Sequence, residues 1–318
     1  MTIPLPFDRE IAHALATRRE IVTTLRPDQI GELRARSVRP TDHEITLGGQ
    51  FELTIHDVPH REHDDLRIVL LRHRTTSRPA PVIYHVHGGG LVVGSALDDL
   101  PALAALVSDT DWAVAAVEYR LAPEHPYPAA IDDVYSGLVW IRDNTAALGL
   151  DSDRIVIEGG SAGAGLAAAA ALMARDRGAP QLFGQMLLGP MLDDRNDSHS
   201  AHQMIGRGAW DRSANETGWA AYLGADRDDV PIYASPGRAT ELAGLPQTFI
   251  DVGSAETFRD EAVAYASRIW DSGGAAELHV WAGGAHGFDG LAPDAAISCH
   301  AREARVHWLE RLLASSLD

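Results

Sequence analysis

One serine in this 318-residue chain sits where chemistry is easiest to build. Arg154-Ile155-Val156-Ile157-Glu158 is an apolar strand-like run, and Gly159-Gly160-Ser161-Ala162-Gly163 follows it directly. An alanine-rich segment, Leu166 to Ala174, comes next. A strand that turns sharply into a helix through Gly-x-Ser-x-Gly pushes the serine outward on a strained backbone. The amide of Ala162, opening the helix, lacks a partner within that helix and is free to face an anion. A second glycine run, His87-Gly88-Gly89-Gly90, follows the dense apolar stretch Val82 to Val86. Bare amides there could converge on an oxyanion. Gly88, Gly89 and Ala162 are therefore the expected oxyanion-hole donors, with His87 as an anchor for the loop.

A nucleophilic serine needs a base and a group to orient it. His286 lies in Ala282-Gly283-Gly284-Ala285-His286-Gly287-Phe288, between the last expected strand and the last expected helix. Glycines on both sides leave its ring free to reach over the sheet edge. The orienting acid falls within Phe249 to Glu261. Glu256, in the loop after a strand, is the preferred residue, and Asp251 and Asp260 remain open. The chain order Ser161, Glu256, His286 is that of the α/β-hydrolases, distinct from the trypsin and subtilisin orders.

The elements that must hold these residues read as an α/β fold. Strands are expected at Glu44–Val58 and Leu66–His73, antiparallel, and then at Val82–Val86, Ala113–Val117, Ile155–Ile157, Met186–Leu188, Thr248–Val252 and Leu278–Trp281. Helices are expected at Leu100–Val107, Ala129–Ala147, Ala162–Ala174, Thr257–Trp270 and Ala295–Leu313. Buried strands alternating with helices imply a mainly parallel sheet covered on both faces. Ser77 to Pro81 reads as a linker. Two segments stand outside this rhythm. Residues 1–40 carry short amphipathic helical patterns, broken at Pro27, and residues 193–245 lack any convincing buried strand. Both read as cap segments, flanking a catalytic domain of residues 41–192 and 246–318.

Composition excludes more than it suggests. The chain has no lysine; all 27 basic residues are arginine. Schiff-base chemistry, a Ser-Lys dyad and a Walker-type phosphate loop each require a primary amine and are ruled out. The net charge of -18 argues against nucleic acid or an anionic membrane as partner. Cys299 is the sole cysteine, so no intrachain disulfide and no cysteine-based metal site can form. His85-x-His87 has no acid or cysteine beside it in sequence, and no metal site is expected. The N-terminal stretch holds Asp8, Arg9, Glu10, Arg18, Arg19 and Glu20, which interrupt any apolar signal core. A cytoplasmic location is expected, and no cofactor is required.

Taken together, His87 to Gly90, Tyr119-Arg120-Leu121-Ala122-Pro123-Glu124-His125-Pro126-Tyr127-Pro128-Ala129, Gly159 to Gly163, Phe258-Arg259-Asp260-Glu261 and His286-Gly287-Phe288 resemble the bacterial hormone-sensitive-lipase-like esterases of the α/β-hydrolase fold. The resemblance covers roughly residues 40–318. It implies a mainly parallel eight-stranded sheet, a helical cap, hydrolysis of small to medium acyl esters, and a possible homodimer. Two positions depart from the family pattern: Gly160 stands where an aspartate often precedes the nucleophile, and Glu256 where the acid is usually aspartate. Two other readings are carried forward. A ligand receptor on the same fold would need no turnover. A dinucleotide-binding oxidoreductase would use Gly163-Ala164-Gly165-Leu166-Ala167-Ala168, but the first acid after the following strand, Asp193, lies later than that fingerprint requires.

Overall fold

Every one of the seven residues of the strand leading to the triple glycine is buried, which marks it as the middle of a two-sided sheet. In the computed structural model the chain is described except at residues 1, 2, 4, 19, 20, 60–65, 77, 226 and 316–318. Three short helices come first: α1 (Arg9–Thr17), α2 (Ile30–Ala35) and α3 (Asp42–Ile45). Then follow β1 (Phe51–Val58), β2 (Leu66–His73), β3 (Ala80–Val86), α4 (Leu100–Val107), β4 (Ala113–Glu118), α5 (Ala129–Leu148), β5 (Leu150–Gly160), α6 (Ala162–Arg177) and β6 (Gly184–Leu188). The chain continues through α7 (His199–Gln203), α8 (Arg212–Leu223), β7 (Gln247–Gly253), α9 (Arg259–Asp271), β8 (Ala276–Trp281), α10 (Phe288–Leu291) and α11 (Ala296–Ala314).

The eight strands form one sheet in the order β1-β2-β4-β3-β5-β6-β7-β8. Only the β1–β2 and β2–β4 pairings are antiparallel; the rest are parallel. Side chains alternate across the sheet as strand geometry demands. Val82, Tyr84 and Val86 of β3 pack with α5, α6 and α9. Ile83, from the same strand, packs on the other face with α4 and α11. Helix α6 runs through the middle of the first layer, and Ala167 to Ala171 on it are all buried. A row of alanines lets the helix lie close to the sheet.

Several boundaries differ from the sequence reading for local reasons. Glu44 and Ile45 are helical rather than extended. Thr41 and Glu44 cap α3 reciprocally, Thr41 Oγ1 accepting from the Glu44 amide and Glu44 Oε2 from the Thr41 amide. Residues 21–26 have no helical structure, despite Ile21 and Leu25 being four apart. Leu25 is buried in the main core instead. Ala80 and Pro81 belong to β3 rather than a linker, while Ser77, like Arg19 and Glu20, lies outside the described residues. Among the described residues, no helix is long and apolar enough to cross a membrane.

Helix α11 is fastened to the catalytic end of the sheet by charge. Arg305 is buried and donates from Nε to Asp251 Oδ2 at 2.8 Å and from Nη1 to Asp289 Oδ2 at 2.5 Å. Burial pushes the Asp251 carboxyl above the usual carboxylate range even against the pull of Arg305. Burial also works against ionised Asp289, but there the guanidinium prevails and holds the carboxyl low. Removing Arg305 should therefore leave an uncompensated buried carboxylate. We expect Arg305→Met to lose about 3–5 kcal/mol of stability at neutral pH, measured by urea denaturation. Without the cation, Asp251 titrates still higher in the folded state, so the deficit should shrink as pH falls and that carboxyl takes up a proton.

Candidate active site

Ser161 has φ +57° and ψ −120°, a conformation that non-glycine residues rarely adopt. The neighbouring glycines explain why it must. A Cβ on Gly163 would lie 2.0 Å from the Val86 carbonyl oxygen, and one on Gly159 would lie 2.5 Å from the Gly163 backbone. The Ser161 amide donates to Leu188 O at 2.8 Å, and its carbonyl accepts from the Met191 amide at 3.0 Å. The turn is thus held between β3 and β6, with the hydroxyl pointing away from the sheet.

His286 Nε2 lies 2.8 Å from Ser161 Oγ, and His286 Nδ1 lies 3.2 Å from Glu256 Oε1. Glu256 is almost wholly buried, and its other oxygen accepts from the Gly253 amide at 3.2 Å. Phe258 packs edge-on to the His286 ring at 4.9 Å. Beside the Glu256–His286 pair stands Gly189 (φ +51°); a Cβ there would come within 3.4 Å of both Glu256 Oε1 and His286 Nδ1. The other acids are engaged elsewhere. Asp251 is paired with Arg305. Asp260 accepts from the Ser200 amide at 2.7 Å and from Arg259. Glu261 is buried, accepts from the Leu192 amide, and burial raises its carboxyl well above the ordinary range.

The triple glycine folds back tightly beside the serine. Gly89 and Gly90 have φ of +113° and +60°. A Cβ on Gly88 would sit 3.5 Å from Ser161 Cβ, and one on Gly89 only 2.1 Å from Val93 O. The amides of Gly88, Gly89 and Ala162 donate to no described residue. His87 sits behind the loop: its Nδ1 is 2.8 Å from Gly88 O, and its ring stacks on Tyr119 at 4.1 Å. The Tyr119 hydroxyl donates to His87 O at 2.8 Å. Arg120 next to it is clamped on the buried carboxylate of Asp133 through both Nε and Nη2. The sequence alone does not name these partners.

Residues 23–25 and 211–217 meet at this end of the sheet. Thr24 Oγ1 donates to Asp211, Thr217 Oγ1 to Leu25 O, and the Asp211 amide to Thr23 O. Trp210 lies against Gly90, where a Cβ would approach its ring to 2.5 Å. Thr257, one residue past Glu256, donates to Trp210 O at 2.6 Å. Arg34 donates to Val92 O, Ala122 O and both oxygens of Glu124.

His85 corrects the sequence reading in one respect, because the fold does bring acids beside it. His85 Nδ1 is 2.6 Å from Glu158 Oε2, and Nε2 is 3.3 Å from Asp99 Oδ2. Burial alone would disfavour the charged imidazole, but the two carboxylates outweigh it and raise its pKa to about 10. His87, two residues further along the chain, goes the other way. Burial and the charge on His85 lower His87 to about 4, despite the bond to Gly88 O. A neutral ring with Nδ1–H donating to that carbonyl is the form that fits.

A model of the α/β-hydrolase fold family matches residues 83–290, from β3 to α10. The chain belongs to the hormone-sensitive-lipase-like esterase family of that fold. It is 37% identical over 202 residues to carboxylesterase NlhH of Mycobacterium tuberculosis, a stretch covering 62% of this chain and 63% of that protein. It is 34% identical over 214 residues to esterase LipI of the same organism, covering 67% of each. Among solved structures, a bacterial heroin esterase superposes with a TM-score of 0.86 at 32% identity, covering 97% of this chain and 98% of the other. The dinucleotide reading fails on packing as well as on family. A Cβ at Gly163 or Gly165 would meet backbone oxygens at 2.0 and 2.1 Å, so backbone fills the space a pyrophosphate would need.

The opposed shifts of the two histidines give a direct check. In ring-nitrogen NMR spectra, His85 should show the shifts of a cation at pH 8, and His87 those of a neutral ring down to about pH 5. Because His85 is raised on folding, its stabilising contribution is complete below about pH 6.5 and is lost as pH rises through about 10.

Proposed function

We propose that this chain is a serine carboxylesterase acting on small to medium acyl esters, with Ser161 as nucleophile, His286 as base and Glu256 as orienting acid. The observation that carries the reading is the contact of His286 with Ser161 Oγ on one nitrogen and Glu256 on the other, at 2.8 and 3.2 Å. In this scheme His286 Nε2 takes the Ser161 proton as Oγ bonds to the ester carbonyl carbon. The carbonyl oxygen becomes an oxyanion, held by the amides of Gly88, Gly89 and Ala162. Its collapse breaks the carbon–alkoxy bond, and the alcohol leaves with the proton from Nε2. Water then adds to the acyl-enzyme, gives a proton to Nε2, and the acid departs as Ser161 Oγ regains that proton. Residues 1–40 and 193–245 act as a cap over the Gly90 and Thr257 loops.

A cavity of about 680 Å³ reaches Ser161, His286 and Glu256, within the roughly 300–1,000 Å³ typical of small-molecule sites. This supports modest esters over long triglycerides. Ser161→Ala should lower kcat on p-nitrophenyl butyrate by several orders of magnitude with folding intact. Glu256→Gln should cost on the order of 10³–10⁴ by leaving the His286 tautomer unsupported. Asp251→Asn should act on stability instead. Equal losses of turnover from Glu256→Gln and Asp251→Asn would reject the assignment of the acid.

A further inference from the structure

The glycines of the turn are not alike. Gly159 and Gly163 are glycine because backbone occupies the space of a side chain. Gly160 lies between them, yet a Cβ there would meet no heavy atom within 4 Å, and its φ is not positive. Neither crowding nor strain requires glycine at this position. Gly160 instead lines the cavity that holds Ser161.

That cavity has a direction. From Ser161 and Gly160 it runs over Leu188 into the wedge between α4, which contributes Ala102, Leu103 and Leu106, and Pro293 just before α11. Among the described residues, none from 1–40 or 193–245 lines it. It therefore lies on the α4–α11 side of the sheet, away from the contacts those two segments make with Gly90 and Thr257. Leu103, Leu106, Leu188 and Pro293 give it an apolar strip, while Asp99 before α4 and Arg302 and Arg305 of α11 give it charged borders. A side chain at position 160 would project into the mouth of this wedge, next to the reacting serine.

The geometry points to Gly160 as a specificity-determining residue, whose missing side chain opens the α4–α11 wedge to the acyl chain of the ester. The acyl group is the part that stays bonded to Ser161 Oγ after the alcohol has taken its proton from His286 and gone. On this assignment, the space that adjoins Ser161 and is bounded by the residue before it holds that group. This inference rests on the reading of Ser161 as nucleophile, and the two fail differently. Ser161→Ala acts on every ester alike, whereas filling the wedge acts on chain length.

The test compares kcat/KM for p-nitrophenyl acetate, butyrate and octanoate in the full-length protein, in Gly160→Val and in Ala102→Phe. Ala102 is an exposed position on α4, so its substitution reaches the wedge from the far wall without disturbing the turn. The octanoate-to-acetate ratio should fall by on the order of 10–100-fold in both variants. A parallel series of acetates of ethanol, butanol and octanol should keep its wild-type profile. Where Gly160→Val loses its thermal transition or all turnover, the ratio in Ala102→Phe decides. An unchanged ratio in Ala102→Phe, a wild type that does not turn over octanoate, or a shift in the alcohol series instead of the acyl series overturns the inference.

Discussion

Two backbones pass each other at the end of the sheet with no side chain between them. The first residues of α6 press on the last carbonyls of β3: a Cβ at Gly163 would stand 2.0 Å from Val86 O and 2.4 Å from His87 O. Because β3 continues directly into the triple glycine, this one contact fixes both the strained turn at Ser161 and the loop beside it. The distance from the serine to the amides of Gly88 and Gly89 is thus a property of helix–strand packing rather than of loop conformation. The cost of the unusual backbone at Ser161 is spread over a rigid assembly, as strained positions require.

Charge does the rest of the positioning, and here burial and attraction compete at every pair. Asp251 with Arg305, Asp133 with Arg120 and Glu158 with His85 each place a carboxylate out of water. Such pairs contribute little net stability compared with apolar packing, but they tolerate few alternative geometries. Each sits close to a residue of the site in the chain: Asp251 on the strand before Glu256, Asp133 behind Arg120 and hence Tyr119, Glu158 two residues before Gly160. Asp133 and Arg120 lock a segment beside the site, whereas Asp251 with Arg305 and Glu158 with His85 also border the cavity that reaches Ser161.

The sheet was readable in the sequence because buried strands are dense in branched residues and are bounded by glycine and proline; the strand Leu66–His73 has the same limits in both. The segment before β1 was misread because Glu44 and Ile45 alternate like a strand, while the deciding signal was the capping pair Thr41 and Glu44. At the site, Ser161, Glu256 and His286 could be singled out from their places in loops after strands, and the fold brings the three within hydrogen-bonding distance in series. What could not be read were contacts between segments far apart in the chain: Tyr119 on His87, Trp210 on Gly90, and Asp99 and Glu158 around His85. No periodicity encodes them, since each depends on which loops the completed sheet brings to one edge.

The chain's exclusive use of arginine has a mechanical consequence at Arg34. One planar guanidinium reaches the carbonyls of Val92 and Ala122 and both oxygens of Glu124, all between 2.7 and 2.9 Å. An ammonium is a compact point charge without this preset fork. The guanidinium rivets α2 to the stretch that follows the triple glycine. The attachment of α2 beside the triple glycine thus depends on the shape of one side chain as well as on its charge.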